Sequence, residues 1–135
     1  MAKIRHIAYR VRDLEAMAEF FTKGFEMQIV ERRSSGAIDL SDGTLNITLL
    51  PATTTVPSGS EAPIGIGHIG FTAADDDAAR QLVEAAGGRE ARTVRTDSAH
   101  YEIKFEGPEG IIVDIGHWAG TAPIDESETV GAPAS

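Results

Sequence analysis

The chain contains no cysteine, which excludes disulfides and thiolate metal sites. Any metal must take imidazole, carboxylate, hydroxyl, amide or water ligands. Aromatic residues make up only 6% of the chain, with a single tryptophan. No apolar run approaches the roughly 20 residues of a membrane-spanning helix. Positive charge is scarce too: 12 Lys and Arg stand against 21 Asp and Glu, a formal net charge of −9. That balance argues against nucleic acid or an anionic membrane as partner. Met1 leads straight into a strand pattern with no signal-peptide features, so the expected location is the cytoplasm. What remains is 135 residues, enough for one domain with a real core.

What the chain does have is a repeat. Ile4-Arg5-His6-Ile7-Ala8-Tyr9 is echoed by Ile66-Gly67-His68-Ile69-Gly70-Phe71, which sets the two histidines 62 positions apart. Each apolar run is followed by an acidic helix start, Asp13-Leu14-Glu15 in the first case and Asp75-Asp76-Asp77 in the second. The pattern is a tandem duplication of a small strand–helix–strand unit. Halves of roughly 60 residues would be marginal alone, so they are expected to pack together.

In the first half the spacing predicts a strand over Lys3–Val11, then a helix capped by Asp13 and ended by Gly24. Short strands follow at 27–33, 37–41 and 44–50, the last with Thr44, Asn46 and Thr48 on one face. The second half repeats the order. A strand is expected at 64–73, a helix at 75–86 closed by Gly87-Gly88, and strands at 90–95, 100–106 and 111–116. Asp75-Asp76-Asp77 suits capping against the helix dipole better than a cation site.

Each half therefore has the order βαβββ. The expected fold is α+β, with two tandem modules forming a curved mixed sheet around a cavity and the helices outside. The boundaries are a single domain over 1–118, with module one at 1–51, a Pro-, Ser- and Thr-rich linker at 52–63 and module two at 64–118. Residues 119–135 are expected to be a flexible tail, or an arm laid on a partner subunit.

Three residues carry most of the chemistry. A lone histidine in a strand is usually a satisfied core or edge residue, but His6 and His68 at matching positions of paired units point to a shared site. Asp114 lies within Ile111-Ile112-Val113-Asp114-Ile115, and burying a carboxylate there demands a partner. That partner is either an arginine in a salt bridge or a metal. Two imidazoles and one carboxylate leave open positions on an octahedral ion.

The paired His strands and the stretch Gly107-Pro108-Glu109-Gly110-Ile111-Ile112-Val113-Asp114-Ile115 resemble the vicinal oxygen chelate superfamily, which unites glyoxalases, bleomycin resistance proteins and extradiol dioxygenases. The resemblance covers residues 1 to about 118. It implies a divalent metal in the cavity and a small-molecule substrate that chelates it through neighbouring oxygens. It maps the metal ligands onto His6, His68 and Asp114, with Asp in place of the commoner Glu. The fourth family position falls near Thr48 or Asn46, and neither is a carboxylate. A His, His, carboxylate set without a fourth acid resembles the iron site of extradiol dioxygenases. On that basis Fe(II) or Mn(II) is favoured over Zn(II), Ni(II) or Co(II).

The resemblance suggests His100 and Tyr101 as acid–base residues, although Lys104 stands where the dioxygenase tyrosine would be. Asn46, Thr48 and His117 are substrate-cavity candidates, and His117-Trp118 would close the cavity mouth or lie on the surface. The first expectation is thus an extradiol-type dioxygenase. A glyoxalase- or epimerase-type isomerase or lyase is the alternative, with its base supplied by Glu102 or a partner subunit. A metal-free antibiotic-binding protein is the third. Superfamily members commonly dimerise, so a homodimer is expected.

Overall fold

Asp13 and Asp75 open the two helices in the same way. Each carboxylate accepts a hydrogen bond from a backbone N–H three residues on, Ala16 in one case and Ala78 in the other. In the computed structural model, which describes residues 1–53, 63–95 and 101–124, these caps start α1 (Leu14–Phe25) and α2 (Asp76–Ala85). α1 runs past the expected stop at Gly24 and ends at Glu26, which takes the left-handed conformation at φ 60°. The last turn closes because the Glu26 N–H reaches Phe21 O.

The strands are β1 (Lys3–Val11), β2 (Gln28–Arg32), β3 (Ile38–Ser41), β4 (Asn46–Pro51), β5 (Gly65–Thr72), β6 (Arg89–Arg95), β7 (Tyr101–Glu106) and β8 (Ile112–His117). They form one eight-stranded mixed sheet in the order β2-β3-β4-β1-β5-β8-β7-β6. The expected βαβββ order occurs twice. β1 and β5, the strands that carry the repeat, meet antiparallel at the middle of the sheet. β1 lies parallel to β4, and β5 parallel to β8.

Strand alternation gives the sheet two different faces. On one, Val11, Ile38, Leu40 and Leu49 pack with Leu14, Met17 and Phe21 of α1. Ile103, Phe105 and Ile115 pack with Ala79 and Val83 of α2 on the same side. The other face is polar and yet buried. His6, Asp39, Asn46, Thr48, Glu102, Lys104 and Asp114 are all enclosed there.

Part of that cover comes from residues 118–124. Instead of leaving the domain, this segment lies along module one. Asn46 Nδ2 donates to Ala119 O, Ser41 Oγ to Gly120 O, and the Ala122 N–H to Thr44 O. Arg5 Nε donates to Ala122 O. The expectation of a free tail is thus corrected for residues 119–124, where carbonyls satisfy buried donors of β3 and β4. Residues 125–135 lie outside the described residues.

Candidate functional site

His6 on β1 sits in register with Asn46 on β4, and their side chains meet at 2.8 Å between His6 Nδ1 and Asn46 Oδ1. The direction of that bond follows from the neighbours. Asn46 Nδ2 donates both to Asp39 Oδ1 at 3.0 Å and to Ala119 O at 3.1 Å, so Oδ1 is left to accept. His6 Nδ1 therefore carries the hydrogen, and Nε2 presents a bare lone pair. Nε2 is buried with no hydrogen-bond partner among the described residues. Burial pushes the His6 pKa down to about 4, against smaller upward pulls from Glu102 and Asn46, so the ring is neutral near pH 7.

Behind Asn46 stands a fully buried carboxylate. Asp39 accepts from Arg33 Nε at 2.7 Å and Nη2 at 2.9 Å, from Asn46 Nδ2, and from Thr48 Oγ1 at 2.6 Å. The chain Arg33–Asp39–Asn46–His6 fixes the tautomer and aim of His6, as outer partners of a ligating histidine commonly do. On the opposite side, Trp118 stacks on the His6 ring with 4.4 Å between centroids and 3° between planes. Gly70, paired with His6 across β1 and β5, makes room for that indole.

His68 and Asp114 complete the group. His68 Nε2 lies 3.0 Å from Asp114 Oδ2. One donor atom from each of His6, His68 and Asp114 falls within 4.8 Å of the others. The residues come from β1, β5 and β8, so both modules contribute.

β7 adds two charges. Lys104 pairs with Asp114 across β7 and β8, and its Nζ is 3.1 Å from Asp114 Oδ1, 3.2 Å from Glu102 Oε2 and 3.4 Å from His68 Nε2. Glu102 Oε1 accepts from Trp118 Nε1 at 2.8 Å. Burial alone would raise the Glu102 pKa, but the Lys104 ammonium, His6 in its protonated form and the Trp118 N–H together outweigh it and hold the group at about 2.

The structure brings together His6, His68 and Asp114. Both readings of Asp114 find a counterpart, since it faces two histidines and a cation, the cation being lysine rather than arginine. Asn46 and Thr48 are too deeply buried to line a substrate space, and they hold His6 from behind. Tyr101 is on the wrong face of β7. Its neighbours in parity are Ile103 and Phe105, with which it packs, while Glu102 and Lys104 point the other way. His117 is exposed at the end of β8 beside the Tyr101 ring. His100 lies outside the described residues. Trp118 is neither a mouth nor a surface aromatic, because its ring covers His6.

Asp39 went unnoticed in the sequence, although the signal that marks Asp114 marks Asp39 as well. Each is one carboxylate between apolar strand neighbours, here Ile38 and Leu40.

Residues 3–115 match the model of the Glyoxalase/Bleomycin resistance protein/Dioxygenase superfamily. The chain belongs to this superfamily. No curated protein matches it by sequence. A hypothetical protein of Bacillus halodurans C-125 shares the fold with a TM-score of 0.67 at 16% identity, over 91% of this chain and 99% of that one. Streptomyces coelicolor methylmalonyl-CoA epimerase in complex with 2-nitronate-propionyl-CoA gives 0.65 at 19% identity, over 88% and 99%. Methylmalonyl-CoA epimerase from Mycobacterium tuberculosis gives 0.63 at 17%, over 89% and 88%. At such identities the likeness is one of fold.

Superfamily members commonly bind a divalent metal, and the donors here fit one. Two imidazoles and a carboxylate converge, and the buried lone pair of His6 lacks any other partner among the described residues. Lys104 stands among these donors as a cation.

Proposed function

We propose that the chain is a divalent-metal-dependent enzyme that moves a proton next to a carbonyl of a small substrate with neighbouring oxygens, as glyoxalase- and epimerase-type enzymes do. His6, His68 and Asp114 would hold the ion. When bound, it would supply Lewis-acid polarisation of the carbonyl and offset the negative charge that develops on its oxygen. Asn46 keeps the His6 lone pair aimed inward, and Trp118 shields that ring from water.

Glu102 is the residue proposed to take and return the proton, and its placement carries this reading. It is a buried carboxylate that shares the Lys104 ammonium with Asp114 and faces the same side of the sheet. It would fill the role that the fourth family position, near Thr48 or Asn46, leaves open. The low Glu102 pKa belongs to the state in which Lys104 is bound, and a carboxylate that acidic is a weak base. Separation of the two side chains would restore its basicity. The fold likeness to methylmalonyl-CoA epimerases agrees with proton transfer.

The extradiol-dioxygenase reading keeps one supporting observation, the His, His, carboxylate set with Fe(II) or Mn(II) in mind. It loses Tyr101, which packs in the core beneath β7. Either reading suits a cytoplasmic homodimer, a state that sedimentation would check.

The test begins with metal content of tag-free protein purified without chelator. Near-stoichiometric metal in the wild type, lost in His68→Ala and in Asp114→Ala, is the expected result. Methylmalonyl-CoA in D₂O should then exchange its α-hydrogen, followed by NMR, at a rate that Glu102→Gln lowers by about 10² or more with metal retained. Equal exchange in Glu102→Gln would remove the proposed role. Oxygen uptake on a catechol after anaerobic Fe(II) loading, indifferent to Glu102→Gln, would put the dioxygenase reading first.

A further inference from the structure

Lys104 is out of keeping with a metal site. Its Nζ touches Asp114 and His68, two of the three donors, and also Glu102. It is 6% exposed, so the ammonium is enclosed with the carboxylates rather than reaching past them to water. Glu102 and Asp114 bring two negative charges to the cluster and Lys104 brings one positive charge. Its Nζ lies within hydrogen-bonding range of both carboxylates, and among the described residues no arginine or other lysine is paired with either.

An ion held by Asp114 at a usual ligand distance of about 2.1 Å would lie no more than about 5 Å from an ammonium that stays 3.1 Å from the same carboxylate. Like charges that close in a buried site repel strongly. The ammonium also takes Asp114 lone pairs that an ion would need, and it stands 3.4 Å from His68 Nε2, the ring nitrogen that faces Asp114.

We propose that Lys104 is an internal counter-ion that competes with the divalent metal for Asp114 and His68, and must swing away before an ion is bound. This rests on the three-donor reading above and adds that Lys104 sets the affinity of the site. In the absence of metal it bonds both buried carboxylates and offsets part of their charge, so the folded chain does not depend on metal for its stability. Binding is therefore an exchange of one cation for another.

The experiment is a Co(II) titration of tag-free, chelator-stripped protein, wild type beside Lys104→Met and Lys104→Gln. Calorimetry gives the affinity. Fluorescence gives a local signal, since the only tryptophan is stacked on His6. The methionine variant keeps the length of the side chain and removes its charge. Circular dichroism establishes that each variant is folded.

The expected result is tighter Co(II) binding in the variants by tenfold or more, with a lower melting temperature than wild type without metal and a larger rise on adding it. Equal affinity in wild type and folded variants overturns the proposal and leaves the three-donor reading intact. Binding by the variants but not by wild type supports the proposal, and removes metal dependence from the native chain. No binding by any folded form overturns both.

Should both variants fail to fold, the wild type decides. The chain has three lysines, Lys3, Lys23 and Lys104, so acetylation can be followed residue by residue by mass spectrometry. Saturating Co(II) should turn Lys104 from protected to reactive, with Lys3 and Lys23 unchanged. Protection of Lys104 that persists with the ion bound overturns the proposal.

Discussion

A histidine as deeply buried as His6 holds a proton poorly, and this makes the metal-free protein sensitive to mild acid. In the unfolded chain the group titrates near 6.5, and in the folded one near 4. Between those values the unfolded state binds more protons, so stability is complete above about pH 6.5 and falls as the pH drops towards 4. The loss should reach about 3 kcal/mol. Urea unfolding of chelator-stripped protein between pH 7.5 and 4.5 checks this, and His6→Asn should flatten the profile over that range. Glu102 acts in a lower window. Its depressed pKa contributes stability above about 4.5 that disappears towards pH 2, so the two effects separate along the pH axis. Of these side chains, His6, His68 and Asp114 were legible because polar residues stand out in apolar strands. Glu102 and Lys104 were visible as charges alternating with Ile103 and Phe105, but their approach to Asp114 depends on the β7–β8 register. Nothing local in the sequence encodes that register.

At the level of elements, strand alternation decides which residues meet. Tyr101 and Glu102 are adjacent in sequence, and the sheet sends them to opposite sides. The sequence reading named both, the tyrosine for a dioxygenase and the glutamate for an isomerase, and parity puts the glutamate on the side of Asp114. Helix starts were readable because an aspartate cap acts over three residues. The end of α1 was misjudged because Gly24 was taken as the stop and the left-handed residue is Glu26. Gly70 offers a sharper test of element packing. A Cβ there would lie 2.5 Å from Trp118 Cη2 and 3.0 Å from His6 Cβ. Gly70→Ala should therefore destabilise the protein by about 1–3 kcal/mol and displace the indole from the His6 ring. Thermal unfolding and tryptophan emission measure the two effects.

Across the whole molecule, the duplicated pattern gave the architecture. The repeat of strand, helix and three strands, with its histidine in place, predicted one curved sheet from two βαβββ units and equivalent positions for both imidazoles. The path of residues 118–124 was not readable. Small residues and proline carry no periodic signal, and the segment is held through backbone carbonyls such as those of Ala119 and Gly120. A chain ending at Trp118 should be less stable by about 2 kcal/mol, since Asn46 and Ser41 lose buried acceptors. Its tryptophan emission should shift to the red as water reaches the indole, and denaturant titration with fluorescence detection follows both changes.

The seam between β1 and β5 has a practical corollary. Each half of the gene product carries one histidine of the trio, and the acid sits with the second. Expressed as two separate polypeptides, cut between Ala52 and Pro63, neither fragment would own a complete donor set. Recovery of cobalt affinity on mixing would then count productive encounters between the halves. The protein would serve as a split reporter of its own reassembly.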